Sequence, residues 1–390
     1  MKTISSVTNT VRFIASASLL VLLASIVPDA SAVVVKNLYD VEFQVPNQNS
    51  QVRTAVFSKG LEEVLVRVSG SRSVLQGIKP GRASSYVQKF SYVQDQADEK
   101  MAGVSKSITT KSGSDWYTLK IQYNAGKIIS LLRDNGLPVW GEHRSETVVW
   151  MAVRDGSNRY VLKRSDASLL KNSVELSLNR RGLPAIWPIN DRKDQQQLPF
   201  ADVWAAFGGP VKAASKRYAK GPAIVGRLSW TGSEWKGDWA LFVENSAYSW
   251  SLSGSDYNTV IAEGIDLSAD MIGKHDAVLE RAGITEPDLL VEINNVDSVQ
   301  TYRKVQKFLE GLTAVRQTSV ARVDEGKVVF RIVLRGDIND FIRLVSTDKT
   351  FQPIAGSAQP GAGTVQPGAG SVQPGAGSVQ QTLLRYSYRK

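Results

Sequence analysis

The sequence predicts a mixed α/β (α+β) protein of two or three small modules, with a ferredoxin-like βαββα unit near the C-terminus. Two observations predict this class. Short runs with alternating apolar and polar residues, typical of strands, occur between longer runs with helical spacing. Glycines, prolines and short polar turns separate these runs. With 390 residues, of which 42% are hydrophobic, the chain can bury several cores.

The first predicted module, residues 33–145, and the second, residues 146–285, each combine strands and helices. The first contains a strand at 36–45, a helix at 52–68 ending at Gly70, a strand at 116–123, a helix at 125–135 and a strand through Val139 and Trp140. The second contains a strand at 148–153, a helix capped by Asp166 and ending at Arg181, a strand through Ile186 and Trp187, helices at 201–207 and 211–218, strands at 223–230, 235–243 and 248–252, and a helix at 264–282. The continuous apolar run at 148–153 is typical of a strand buried on both faces of a sheet.

The third predicted module, residues 286–348, is the ferredoxin-like unit. Its elements are strands at 289–293, 315–323 and 327–334, and helices at 298–309 and 338–345. This order lacks one strand of the ferredoxin-like pattern. Residues 383–388, or another part of the chain, could supply that strand.

Residues 349–381 are predicted to be a disordered linker that precedes a basic and aromatic tail at residues 382–390. Within the linker, Gln-Pro-Gly-Ala-Gly-Ser/Thr-Val occurs three times over residues 359–379. Proline and glycine prevent a helix, and so few large side chains cannot offset the entropy of ordering the backbone. We therefore expect a spacer, or a tether that lets the tail reach another surface.

The N-terminus has the pattern of a secretory signal peptide. Lys2 and Arg12 are positive, residues 13–27 form an apolar run, and Ala30-Ser31-Ala32 is a small-x-small cleavage site. We expect signal peptidase to cut after Ala32 and the mature protein to reside in the periplasm. No transmembrane segment is expected in the mature chain.

Composition excludes several kinds of chemistry. The chain has no cysteine, which rules out disulfides, thiolate metal sites, a thiol nucleophile and a lipid-modified cysteine. The formal charge is +10, and removing Lys2, Arg12 and Asp29 with the signal peptide leaves +9. An exported basic protein is attracted to an envelope protein or an anionic envelope polymer, so nucleic acid is not an expected partner.

Few residues suggest catalysis. The two histidines, His143 and His275, make a histidine metal site improbable, and no metal or cofactor is expected. His143 follows a predicted strand and is a weak candidate for a hydrolase site. Ser168 and Lys171 match the Ser-x-x-Lys pattern of penicillin-binding enzymes, but its companion motifs are missing and we expect an exposed helix pair. No Walker loop or dinucleotide glycine fingerprint is present.

Two groups of residues are candidates for binding. Asp191 follows the strand through Trp187, where the carboxyl edge of a parallel sheet can form a site, and Asp194 and Asp202 are close in sequence. Helix capping and turns are alternative roles for these carboxylates. The second group consists of Trp230, Trp235, Trp239 and Trp250. Stacked indole rings can hold sugars, although large aromatic residues also fill cores and a single shared face is not assured.

Short motifs over most of residues 35–260 resemble an exported proteobacterial family, domain of unknown function 2066. The motifs are Arg53 with Ala55, Val66-Arg67-Val68-Ser69-Gly70, Gly182-Leu183-Pro184, Trp187-Pro188 with Asp191, Asp202-Val203-Trp204, Ala214-Ser215 with Arg217-Tyr218, and Val225-Gly226-Arg227-Leu228. The resemblance implies an exported protein of unassigned activity. It implies no catalytic residue.

Three hypotheses for function remain. The first is a periplasmic, non-enzymatic binding or envelope-assembly accessory protein. The second is a glycan- or lipid-binding module that uses the tryptophan-rich strands and the basic surface. The third is an envelope hydrolase around Asp191 or His143. Co-purifying partners favour the first hypothesis, binding to envelope polymers favours the second, and a cleft joining Asp191 to another titratable group favours the third.

Overall fold

The computed structural model describes residues 33–78, 81–94, 116–280, 289–348, 350–354 and 382–389. The protein has a mixed α+β fold, as the sequence predicts, with ten α-helices and sixteen strands in these ranges. The described residues belong to one unit, Ser31–Lys390. The expected signal peptide and the repeats at 359–379 lie outside the described residues. None of the described helices combines the length and apolar character needed to cross a membrane.

The N-terminal module packs two helices against a three-stranded sheet. Its elements are β1 (Val33–Val34), β2 (Asp40–Val45), α1 (Ser50–Ser69), α2 (Val74–Gly77), a 3-10 turn (Ala83–Tyr86), β3 (Val87–Gln94), β4 (Tyr117–Tyr123) and α3 (Ala125–Asp134). The strand order is β2-β4-β3, with both pairs antiparallel. Phe57, Leu61 and Leu65 recur at helical spacing and are buried over the sheet. Gly70 ends α1 with φ 80°, a conformation that favours glycine.

The middle module has helices on both faces of a mixed sheet. Its elements are β5 (His143–Arg144), β6 (Thr147–Asp155), β7 (Asn158–Val161), α4 (Leu169–Arg181), β8 (Ala185–Ile186), α5 (Arg192–Gln197), α6 (Phe200–Ala205), α7 (Gly208–Ser215), β9 (Ala223–Trp230), β10 (Trp235–Val243), β11 (Ser246–Gly254) and α8 (Tyr257–Asp276). The order is β11-β10-β9-β6-β7, and β8 also pairs with β6. Val149 and Met151 of β6 face α4 and α8, while Trp150 faces the core beside α7. Burial on both faces explains the continuous apolar run in β6.

Two local predictions, one in the middle module and one at the end of the first predicted module, are wrong. Ser168, not Asp166, caps α4, because its hydroxyl accepts from the Lys171 amide. The Asp166 carboxylate instead accepts from the Lys163 amide and closes a turn. Val139 forms one isolated bridge with Val278 and does not begin a strand.

The C-terminal module contains the predicted ferredoxin-like order and two further strands. Its elements are β12 (Leu289–Asn294), α9 (Val299–Gly311), β13 (Val315–Asp324), β14 (Lys327–Leu334), α10 (Ile338–Thr347), β15 (Phe351–Pro353) and β16 (Leu383–Tyr388). The sheet order is β13-β14-β12-β16-β15. β16, at the segment that the sequence offered for the missing strand, lies beside β12, and β15 extends the sheet beyond it.

β16 is an integral strand of this sheet. It runs parallel to β12 and antiparallel to β15, with Leu384 0% and Tyr386 3% exposed. In the described residues the tail is thus not a free tether, because its apolar side chains fill the core below the sheet. The predicted start of the linker at residue 349 also precedes β15, in which Phe351 is buried.

The N-terminal and C-terminal modules repeat one topology. In each, the strand before the first helix pairs with the second strand of a hairpin, giving β2-β4-β3 and β12-β14-β13. A helix follows the hairpin in both modules. In the described residues, β16 fills the position beside β12, whereas no strand pairs with the corresponding edge of β2.

Buried arginines connect the N-terminal and middle modules. Arg144 is 0% exposed and its guanidinium carbon lies 3.8 Å from the centre of the Trp140 ring. It donates hydrogen bonds to the carbonyl oxygens of Arg67, Trp140, Gly141, Arg181 and Gly182. Five carbonyls around one cation compensate much of the cost of burying its charge. These contacts join α1 of the N-terminal module to the C-terminal end of α4.

Candidate functional site

A groove opens in the middle module where two short strands follow one another along β6. β7 pairs antiparallel with the end of β6, and β8 pairs parallel with its beginning. Beside β7 and the loop that follows β8 lies a space of about 600 Å³. We call it the β7 groove, and its walls include Arg159, Tyr160, Lys163, Asn190, Gln195 and Phe200. Its volume is in the range of small-molecule sites, about 300–1,000 Å³.

Positive charge collects at the β7 groove. Arg159 and Lys163 line it, and Arg154 lies directly opposite Arg159 on the neighbouring strand. Like charges at directly opposed positions destabilise a strand pair. Within the described part of the chain, none of these three cations forms an ion pair with a carboxylate. The guanidinium of Arg154 instead lies 4.3 Å from the centre of the Trp204 ring.

Aromatic rings and amides complete the walls of the groove. The Tyr160 side chain is 40% exposed. The Phe200 ring stacks on Trp204, with centroids 5.6 Å apart and an interplanar angle of 23°. Asn190 adopts a positive φ of 56°, and its carbonyl accepts from the Gln195 amide at 2.9 Å. Basic, aromatic and amide residues therefore line the same groove.

Asp191 lies beside the groove but its carboxylate is already engaged. It caps α5 by accepting from the Asp194 amide at 3.0 Å. Arg217 donates to both of its oxygens, at 2.6 and 2.7 Å. Hydrogen bonds from the Arg217 side chain and the Asp194 amide, together with the charge of Arg217, hold the pKa of Asp191 well below its usual range. This carboxylate is an ionised structural group at neutral pH and a poor proton donor.

Asp194 is the buried centre of this cluster. It is 0% exposed and accepts from the Arg217 guanidinium at 2.8 Å, the Tyr218 hydroxyl and the Asn190 amide. Burial, and next the hydrogen bond to Asp194, raise the pKa of Tyr218 to about 12. The cluster fixes the loop that forms one wall of the groove. Asp202, the third carboxylate singled out from the sequence, lies in the first turn of α6 and has no role in this cluster.

The other catalytic candidates lie apart from the β7 groove. His143 packs edge-on against Phe308 of α9, with centroids 5.4 Å apart, and burial lowers its pKa. Lys171 is 8% exposed and its Nζ lies 3.0 Å from Glu175. The prediction that Ser168 and Lys171 form an exposed pair is therefore wrong for Lys171. Among the described residues, no cluster of three or more His, Asp or Glu side chains could hold a metal ion.

The four tryptophans of the meander share one face of the sheet. Trp235 is opposite Trp230, and Trp239 is opposite Trp250. That face packs on α8, where Trp239 is 2% exposed and a Cβ at Gly264 would overlap its ring. Trp230 keeps 38% of its surface exposed at the edge. Most of the surface of these four rings is therefore buried in the core and is not available to a ligand.

Sequence reasoning identified Asp191 and missed the cations of the groove. Arg159 and Lys163 belong to a hairpin and its following turn, where exposed basic residues are common and carry no motif. The pairing of Arg154 with Arg159 follows from the register of β6 and β7. The sequence signal that could have indicated these cations is a short hairpin with basic residues on both strands.

Part of the chain is similar to an uncharacterised domain. Residues 32–141 match the model of a domain of unknown function (DUF8605). This match covers the N-terminal module and ends before Arg144. No curated protein matches the chain. A similar solved chain is the crystal structure of the Thermus thermophilus Protein Y N-terminal domain, with 9% identity, coverage of 33% of this chain and 94% of that chain, and a TM-score of 0.16.

Proposed function

We propose that this chain is a non-enzymatic binding protein of the bacterial envelope and that the β7 groove is its binding site. The observation that carries the proposal is the set of cations at the groove, Arg154, Arg159 and Lys163, which form no ion pair within the described ranges. Uncompensated like charges cost stability in the free protein. An anionic partner offsets that cost, which favours a binding role for this surface.

Export is part of the same proposal. The signal-peptide pattern with cleavage after Ala32, and the resemblance to the exported domain of unknown function 2066, support a mature periplasmic protein. Its partners are then an envelope protein or an anionic envelope polymer. N-terminal sequencing of the protein from an envelope fraction should begin at Val33. A chain that retains Met1 and behaves as an integral membrane protein would overturn this part of the proposal.

The geometry gives less support to a hydrolase around Asp191 or His143. Asp191 is bound on both oxygens by Arg217, so it cannot readily exchange a proton near neutral pH. His143 contacts Phe308 of the C-terminal module and not the Asp191 cluster. Binding through the tryptophan-rich strands has the weaker support of Trp230 alone, because Trp239 is a core residue.

Co-sedimentation with isolated envelope polymers tests the proposed function. The mature protein is mixed with peptidoglycan sacculi or with lipopolysaccharide vesicles, and the size of the polymer is measured afterwards. We expect the protein to sediment with at least one polymer and the polymer to keep its size. The variant Arg159→Gln with Lys163→Gln should lose binding. The matched variant Arg303→Gln with Lys304→Gln removes the same charge from the exposed surface of α9 and should bind normally.

Three results would count against this function. Shortened polymer would indicate a hydrolase. Absence of sedimentation with every polymer, or sedimentation that the groove variant leaves unchanged, would remove the β7 groove as the binding site.

A further inference from the structure

We propose that the ligand of the β7 groove is an acidic saccharide, a sugar ring that carries a carboxylate or a phosphate. This inference rests on the proposed binding function and adds the chemical class of the ligand. It depends on three kinds of residue that line the groove: cations, aromatic residues and residues with side-chain amides.

The cations require a negative charge on the ligand. Arg159 and Lys163 approach the groove from β7 and from the turn that follows it. Asp166 is the carboxylate in the groove wall, and its Oδ2 already accepts the Lys163 amide at 2.9 Å. Asp191, which lies beside the groove, is paired with Arg217. Asp191 is thus committed to Arg217, and among the described residues neither Arg159 nor Lys163 forms an ion pair with Asp166. The guanidinium and the ammonium therefore remain available for charge-assisted hydrogen bonds to an anion.

The aromatic residues indicate a ligand with an apolar face. Tyr160 is 40% exposed on a two-residue-turn hairpin, although its ring could have packed on the sheet. Phe200 is held in the opposite wall by its stack on Trp204. A pyranose ring has one face of C–H groups that packs on such rings, whereas a free inorganic anion gains nothing from them.

The polar groups suit the hydroxyls of a sugar. Asn190 and Gln195 bring side-chain amides to the groove, and a fixed loop holds them. The backbone N–H of Asn190 donates to Asp194 at 2.9 Å, and the side-chain NH2 of Gln195 donates to the backbone carbonyl of Asn190. Amides both donate and accept hydrogen bonds, as sugar hydroxyls do. A lining fixed before binding loses little entropy when a ligand is bound.

Titration calorimetry with defined saccharides tests the inference on the mature full-length protein. The acidic ligands are tetragalacturonate and glucose 6-phosphate, the neutral control is maltotetraose, and inorganic phosphate controls for simple ion binding. We expect at least one acidic saccharide to bind at least about tenfold more tightly than maltotetraose. The carboxylate and phosphate arms identify which anionic group is recognised, and preference for either supports the proposal.

Matched variants locate the binding site. Arg159→Gln with Lys163→Gln should weaken acidic saccharide binding at least about tenfold, while Arg303→Gln with Lys304→Gln should not change it. Tyr160→Ala should weaken saccharide binding and leave any binding of inorganic phosphate unchanged, because a bare anion does not use the ring. Melting temperatures establish that each variant is folded.

The failures of the two proposals are distinguishable. If maltotetraose binds as tightly as tetragalacturonate and the groove variants abolish both, the acidic class is wrong and the binding function stands. If inorganic phosphate competes as well as the acidic saccharides and Tyr160→Ala has no effect, the saccharide class is wrong. If polymers sediment normally with the groove variant, the proposed function of the groove fails as well.

Discussion

At the scale of single residues, Arg144 is a cation without access to water. Burial, together with repulsion from Arg67 and Arg181, lowers its pKa to about 9, so it is still protonated at neutral pH. Replacing Arg144 by Met leaves the carbonyls around it without a donor in the contact between two modules. We expect a loss of at least about 3 kcal/mol in the free energy of unfolding, measured with urea at pH 7. Arg303→Met, on the exposed face of α9, should change it by less than about 0.5 kcal/mol, and equal effects would contradict this role.

The two aspartates beside the groove should differ in importance for folding. Asp194 is fully buried and compensates the Arg217 charge, so Asp194→Ala should destabilise the protein by about 3 kcal/mol or more. Asp191 is partly exposed, and Asp191→Ala should have the smaller effect. Its low pKa stabilises the fold above about pH 3.9, the unfolded value, and that contribution disappears as the pH falls through the folded pKa. Thermal unfolding at pH 7 compares both variants, and a larger loss for Asp191→Ala would contradict the structure.

A local sequence pattern predicts the role of a residue only where that residue's interaction partner lies nearby in the sequence. Gly70 was correctly placed at the end of a helix, because a left-handed C-cap is a property of the backbone itself. Asp166 and Ser168 are both good cap residues, and the structure uses one for a turn and the other for the cap. The partner of Asp191 is Arg217, which follows two helices later and whose position depends on tertiary packing.

At the scale of elements, β16 should contribute to stability despite its distance in sequence. We compare the mature chain ending at Ile354 with a chain in which five residues replace residues 355–381. The first variant loses β16 and exposes the core that Leu384 and Tyr386 cover. We therefore expect its free energy of unfolding to fall by about 2–5 kcal/mol. The second keeps the antiparallel pair of β15 and β16 and closes a loop of about five residues in place of about 27, which should stabilise the fold by about 1–1.5 kcal/mol.

Urea unfolding of both chains measures this difference. A truncated chain as stable as the full mature protein would mean that β16 is dispensable. Loss of stability in the short-loop chain would mean that β15 and β16 do not pair as neighbours.

The elements that sequence predicted well are those with strong periodicity. The helix predicted at 298–309 and the strand predicted at 327–334 correspond to α9 and β14 within one or two residues. Their apolar residues recur regularly and one face is buried, so pattern and structure agree. β15 has three residues, too few for alternation to be recognised. The insertion of β16 between β12 and β15 depends on which strand edge is open, and that is a property of the assembled sheet.

At the scale of the whole molecule, sequence predicted the α+β class but not how the modules meet. Each module has its own apolar core, which composition and periodicity can indicate. The contacts between modules use single residues with no periodic signal. Gly70 and Gly273 are an example, because a Cβ on either would overlap the backbone of the other. Such close approaches become visible only when both elements are in place.

The two histidines lie at contacts of the C-terminal module and should give opposite pH dependences. Burial against Phe308 lowers the pKa of His143, so its stabilising effect is present above about pH 6.5, the unfolded value, and is lost as the pH falls towards its folded pKa. The backbone carbonyl of His275 accepts a hydrogen bond from Arg343 of the C-terminal module. A hydrogen bond to Asp276, together with the charges of Asp276 and Glu244, raises the pKa of His275. Its contribution is therefore complete below about pH 6.5 and is lost as the pH rises through its folded pKa.

Urea unfolding of the wild type, His143→Phe and His275→Gln at pH 5.5, 6.5 and 8 measures both effects. All three proteins share the same carboxylates, so their contributions cancel when the free energy of unfolding of each variant is subtracted from that of the wild type. A packing cost of either substitution adds a constant that does not change with pH. The advantage of the wild type over His275→Gln should shrink from pH 5.5 to 8, because His275 loses its proton and with it the ion pair to Asp276. Its advantage over His143→Phe should grow over the same interval, because the buried ring is preferred neutral. The assignments require folding to lower the pKa of His143 and to raise the pKa of His275. Two differences that change in the same direction with pH would therefore contradict them.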